Sequence, residues 1–239
     1  MLRRLAAASA CLLFAAPALR AQSLVDICRR AMHPPAGAWA RYRLEGGREN
    51  GATVRMAIVG SEAHGDTTYL WVEMAAHGFR MGGPRSGGGG DTITMVNKML
   101  VPGIGPGMAA PREVVMKLGS GPAMVMPISQ AGSRSAPGSD ALRDCRNAKV
   151  LGWESVTVPA GTFRALHVQN ENGRGDSWVV PDLPFALVRM GTGHGANDST
   201  QMVLLAHGSG ARSEITETPR PYDPRLFMQM MMPQGGRHQ

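Results

Sequence analysis

Val156-Thr157-Val158-Pro159-Ala160-Gly161-Thr162-Phe163-Arg164-Ala165 is the stretch whose reading decides the fold. β-branched and aromatic residues alternate with polar ones on both sides of Pro159-Ala160-Gly161, the period-two signature of strands that bury one face. Proline presets φ for the first turn position and glycine tolerates the left-handed conformation, so the centre reads as a tight reversal. Two registers compete. A two-residue loop, Pro159-Ala160, sets Val156 opposite Phe163 and Thr157 opposite Thr162, matching like faces. A three-residue loop with Gly161 in a bulge sets Val156 opposite Arg164, mixing faces but using the more usual turn chemistry.

Working outward, Trp178 to Val180 and Leu187 to Met190 continue the strand signals, and Thr200 to Ala206 adds one more, with Arg212 to Thr216 read as a last edge. Towards the amino terminus, Ala38 to Glu45, Thr53 to Val59 and Thr67 to Ala76 alternate between the breakers Gly46-Gly47, Asn50-Gly51 and Gly60 to Asp66. In the third of these, Tyr69, Trp71 and Glu73 face one way. Leu70, Val72 and Met74 face the other, making one face fully apolar. Thr92 to Val101, Glu113 to Leu118 and Met124 to Ile128 follow, giving nine to eleven strand signals in all. Leu24 to Met32, with Ser23 as its cap, reads as a short helix stopped by His33-Pro34-Pro35, and Ser139-Asp140 opens at most one helical turn through Cys145. Short turns between consecutive strands predict a mainly β (α+β) fold. It is a single strongly curved antiparallel sheet, a half-barrel meander with one or two short helices over residues 22–216. Beyond it, 217–239 is rich in Pro and Met and reads as a disordered tail.

The chain of 239 residues is 43% hydrophobic, enough for one large core, and holds 31 Gly and 17 Pro, implying many turns. Arg3-Arg4, the apolar run Leu5 to Ala16 and Pro17 to Ala21 form the charged, apolar and cleavage regions of a secretory signal at 1–21. The apolar run is shorter than the roughly 20 residues a bilayer span needs. No transmembrane segment is expected after cleavage, and the location is periplasmic or secreted. The net charge of +7 loses Arg3, Arg4 and Arg20, leaving 22 basic against 18 acidic residues, or +4. Those basic residues are scattered, without runs or interleaved aromatics, so nucleic acid is not an expected partner. With Cys11 in the signal, Cys28 and Cys145 remain, and an oxidising compartment favours joining them in one disulfide.

Chemistry is sparse. Gly82 to Gly90 is glycine-rich but lacks the Lys-Ser/Thr of a phosphate loop and reads as a linker. Neither Gly132-Ser133-Arg134-Ser135 nor Gly208-Ser209-Gly210 makes a nucleophile elbow, and no carboxylate pair stands out, so no enzyme and no cofactor are expected. His64, His77, His167, His194 and His207 are each isolated in sequence, without metal-ligand spacing. Met228-Gln229-Met230-Met231-Met232 is the most unusual local composition. Met228, Met230, Met231 and Met232 are soft ligands of the kind that hold Cu(I), and equally adaptable apolar filler.

The Val-Pro-Ala-Gly-Thr-Phe turn at 158–163, with Trp178-Val179-Val180-Pro181, Pro184 to Val188, Lys98-Met99-Leu100 and Gly119 to Met124, resembles a group of exported bacterial proteins. Their fold is similar to that of the LolA/LppX lipoprotein carriers. The resemblance covers Ala38 to Thr216. It implies a curved sheet wrapped around helical segments, with an apolar concave face able to take acyl chains. Three functions are expected in turn: an envelope protein holding a lipid or lipoprotein acyl chain, an envelope protein that binds a protein partner through a packed sheet, and Cu(I) binding by the methionine tail.

Overall fold

The computed structural model describes residues 24–31, 33–47, 49–80, 92–102, 111–128, 147–171, 173, 175–192 and 200–231. The signal segment, the 82–90 loop, Ser133, Ser135, Cys145, His194 and Met232 lie outside them. Helix α1 (Leu24–Ala31) precedes a first run of strands: β1 (Trp39–Glu45), β2 (Thr53–His64), β3 (Thr67–Arg80), β4 (Thr92–Pro102), β5 (Glu113–Leu118) and β6 (Met124–Val125). A second run holds β7 (Lys149–Val158), β8 (Gly161–Gln169), β9 (Gly175–Val179), β10 (Leu187–Thr192) and β11 (Thr200–Gly208). A short β12 (Arg220–Pro221) and helix α2 (Pro224–Met231) complete the chain.

All twelve strands belong to one sheet in the order β12-β6-β5-β4-β3-β2-β1-β11-β10-β9-β8-β7. The expected curved meander is therefore two meanders, β1 to β6 and β7 to β11, joined along the antiparallel pair of β1 and β11. Every pairing is antiparallel except that of β12 with β6. β7 and β12 stand at opposite edges, so the sheet is not closed.

The opening hairpin settles its register on the side of face matching. Val156 lies opposite Phe163, Thr157 opposite Thr162 and Val158 opposite Gly161, which leaves Pro159-Ala160 as the loop. The three-residue alternative would have put the buried Val156 beside the exposed Arg164, and the cost of mixing faces outweighs the preference for a bulged turn. The tip then folds inward, where the Ala160 amide donates to the Leu204 carbonyl across the sheet at 3.2 Å. That contact curls β7 to β11 into a roll around Ala40, Tyr42, Val156, Val158, Ala165, Trp178, Val188, Val203 and Leu204. Val188 is the residue that a register shift opposite Trp178 leaves without a cross-strand partner, and it is fully buried. On the other face of the roll, Ile27 of α1 packs against Leu166 and Val168.

Residues 209–219, where a last edge strand was expected, form no strand. They run as a strap over β2 to β6, fastened mostly through side chains. The Ala211 amide donates to the Gly37 carbonyl, Arg55 to the Arg212 carbonyl, and Lys117 pairs with Glu217 at 2.8 Å. At its centre Glu73, fully buried, accepts hydrogen bonds from the Ser213 hydroxyl and the Glu214 amide and faces the Arg55 guanidinium at 3.3 Å. Beside it Ile215 packs with Ala75, Val96, Val115 and Ala123. The segment expected as a disordered tail is thus tied to the sheet through Glu217 and β12 and continues into α2, whose first turn is capped by Asp223 on the Arg225 and Leu226 amides. The second short helix lies here, beyond the expected domain limit. The turn expected at 139–145 is outside the described residues.

Candidate functional site

Directly opposed residues of an antiparallel pair share a face, so the registers of β1 to β6 can be read as rows across the sheet. One row runs Ala40, Met56, Met74, Asn97, Met116, Met124. A second runs Tyr42, Val54, Ala76, Met95, Leu118, and a third Ile58, Val72, Met99, Val114. Every methionine of β2 to β6 falls in these rows, on the face opposite the strap. Met56 packs against the core of the roll, so the rows continue the surface on which the roll closes.

Within the roll that surface is sealed by its own side chains; over β2 to β5 the described residues leave it partly uncovered. Met56, Met74, Met95, Asn97, Met99 and Met116 are half-buried, while Ala40, Tyr42, Ile58, Met124, Leu118 and Val114 at the row ends, and Val54 and Ala76 within the second row, are buried. Unbranched thioether side chains adapt to irregular apolar partners. The polar groups of the three rows are the Asn97 amide and the Tyr42 hydroxyl. Asn97 makes no side-chain hydrogen bond to another described residue. The Tyr42 hydroxyl is buried without a partner, and burial pushes its ionisation well above the ordinary phenol range. An apolar surface with few polar groups is the composition of a site for an amphiphile.

The other sequence candidates are placed elsewhere. Cys28 is buried on the inward side of α1, while its expected partner Cys145 lies outside the described residues. Met228 is exposed on α2, and Met230 packs at Gly121. Met231 closes α2 and Met232 lies beyond the described residues, so the tail cluster is not assembled among them. Three of the described histidines face carboxylates, while His207 lies edge-on to the Phe163 ring. His64 and the Trp71 indole share Glu62, whose carboxyl they hold below its usual range, Trp71 contributing most. His77 lies 3.1 Å from Glu214. His167 stacks on Trp178 at 4.4 Å between Asp176 and Glu154, with Arg189 on the other face of the indole at 3.8 Å. Among the described residues no group of three or more His, Cys, Asp or Glu is arranged to hold a metal ion.

The methionine rows went unread in the sequence, where seventeen methionines look like a compositional habit. The signal was parity. Met74 shares the apolar face of β3, and Met95, Asn97 and Met99 share one face of β4 by period two.

No family model matches the chain, and no curated protein matches it. Solved structures similar to it include a "putative lipoprotein" of Parabacteroides distasonis, 12% identical, and a "putative exported protein with YmcC-like fold" of Bacteroides fragilis, 11% identical. Each alignment covers 74% of this chain and 98% of the other, with a TM-score of 0.34. At that score the likeness carries no functional argument. No helix among the described residues is long and apolar enough to cross a membrane.

Proposed function

We propose that this chain is an exported cell-envelope binding protein, without catalytic activity, that holds the acyl portion of a lipid or lipoprotein on the methionine rows of β2 to β6. The supporting observation is that these strands keep all their methionines on one half-buried face, with Asn97 as an accessible amide among them. The apolar rows supply area, at about 25 cal/mol for each Å² removed from water. Asn97 supplies hydrogen bonds to an ester or amide headgroup. Export rests on the charged and apolar pattern of residues 1–21. Protein purified from its own envelope and examined by native mass spectrometry should carry one amphiphile per chain, released by organic extraction. A bare mass from every preparation would defeat the proposal.

A protein partner is the second reading. It is favoured by β7, an edge strand on which Val150, Leu151 and Trp153 are all exposed. Such an edge can accept a further strand. Co-purification of one protein at fixed stoichiometry, with no lipid, would shift the assignment to this reading.

A further inference from the structure

Four methionines flank Asn97 in the register of the sheet. Met74 and Met116 lie directly opposite it on the two neighbouring strands, and Met95 and Met99 lie two residues to either side on its own strand, all on one face. Adjacent strands are about 4.8 Å apart and alternate residues of a strand about 6.8 Å apart. All four methionine backbones therefore stand within about 7 Å of Asn97, and Met74, Met116 and either one of Met95 and Met99 are close enough to turn their thioethers to a common point. These side chains are half-buried rather than locked in the core.

We propose that Met74 and Met116, with Met95 or Met99 as the third thioether, form a site for a soft monovalent cation, Cu(I), beside Asn97. Thioether sulfur prefers Cu(I) to hard cations and to divalent zinc, and three such ligands with no charged group suit a monovalent ion in a partly desolvated place. Asn97 offers its carbonyl oxygen as a further neutral donor, or fixes the rotamers around it through its amide. The ion enters as Cu(I) and leaves as Cu(I), so no electron is transferred. The site is distinct from the methionine run at 228–232, from which Met230 is drawn away to Gly121. It does not depend on the acyl-binding reading, because the ion requires sulfur whereas an acyl chain requires only apolar surface.

That difference supplies the test. The purified, processed full chain is titrated with Cu(I) under anaerobic conditions against a chromophoric Cu(I) chelator. One Cu(I) per chain is expected. Met74→Leu with Met116→Leu should weaken Cu(I) binding at least ten-fold while the chain stays folded by circular dichroism, since leucine keeps the hydrophobicity and roughly the volume but has no sulfur. Replacing Met228, Met230, Met231 and Met232 by leucine should leave Cu(I) binding intact. Failure to compete with the chelator, unchanged binding in the Met74/Met116 double variant, or loss only in the tail variant would each overturn the site. Loss of Cu(I) with retained lipid, or the reverse, separates this proposal from the acyl-binding reading.

Discussion

The two meanders of this sheet treat the same surface in opposite ways. In β7 to β11 the chain curls until its own hairpin tip reaches β11, and Val156, Trp178, Val188 and Leu204 close over the inside. In β1 to β6 the strap lies on the opposite face, held by the buried Glu73, and the inner face keeps adaptable methionines half-exposed. A branched, fully buried core specifies one packing. The unbranched, half-buried rows tolerate several. The proposed binding surface is thus the part of the inner face that the roll does not seal, and the strap stabilises this part from behind on the opposite face.

The contrast can be broken by substitution. Removing the strap's anchor should cost most. Glu73→Ala leaves Arg55 short of its buried partner and the Glu214 amide unpaired, for a loss of about 3 to 5 kcal/mol in urea unfolding. Leu204→Ala, which opens a cavity in the roll, should cost about 2 to 5 kcal/mol by the same measurement. Met74→Leu on the adaptable rows should cost less than about 1.5 kcal/mol. Equal losses for Leu204→Ala and Met74→Leu would mean that the two halves are packed alike.

A smaller effect concerns pH. Lys117 holds the Glu217 carboxyl below its usual range. A group with a lowered folded pKa contributes stability above its unfolded value, near pH 4.3 by the ordinary reference of about that figure, and loses it as the pH falls through the folded value. The protection factors of the strap amides, taken against the intrinsic exchange rate at each pH, should therefore fall below about pH 4 before those of the roll. Uniform loss of protection would remove the distinction. The smallest expected change is Thr157→Ala, which deletes the 3.0 Å hydroxyl contact to Thr162 and should cost under about 1 kcal/mol.

Alternation around Pro159-Ala160 was legible because face matching is a local property of two adjacent strands, and it carried the strand content and the tight hairpin correctly. The joining of β1 to β11 was not legible. Trp39 and Gly208 meet across most of the chain, and period two says nothing about which distant strand pairs with which. The strap was read as a strand at Arg212 to Thr216 because its composition suits one, whereas its hydrogen bonds go to Glu73, Arg55 and Gly37 in three dimensions. Glu73 itself alternates with Tyr69 and Trp71 and gives no sign of being buried, since its partners arrive from some 140 residues away. The candidate site was half legible. The apolar face of β3 was read, but its continuation through Met95, Met99 and Met116 emerges only once β4 and β5 are set in register beside it.

The methionine rows are proposed as an open binding surface, whereas the roll is sealed by its own side chains. Limited peroxide oxidation followed by peptide mass spectrometry tests this contrast most directly, comparing protein as purified from the envelope with the same protein after organic extraction. Met74, Met95, Met99 and Met116 should be protected before extraction and oxidised after it, with methionine oxidation elsewhere unchanged. Identical oxidation of these four residues in both samples would contradict the proposal.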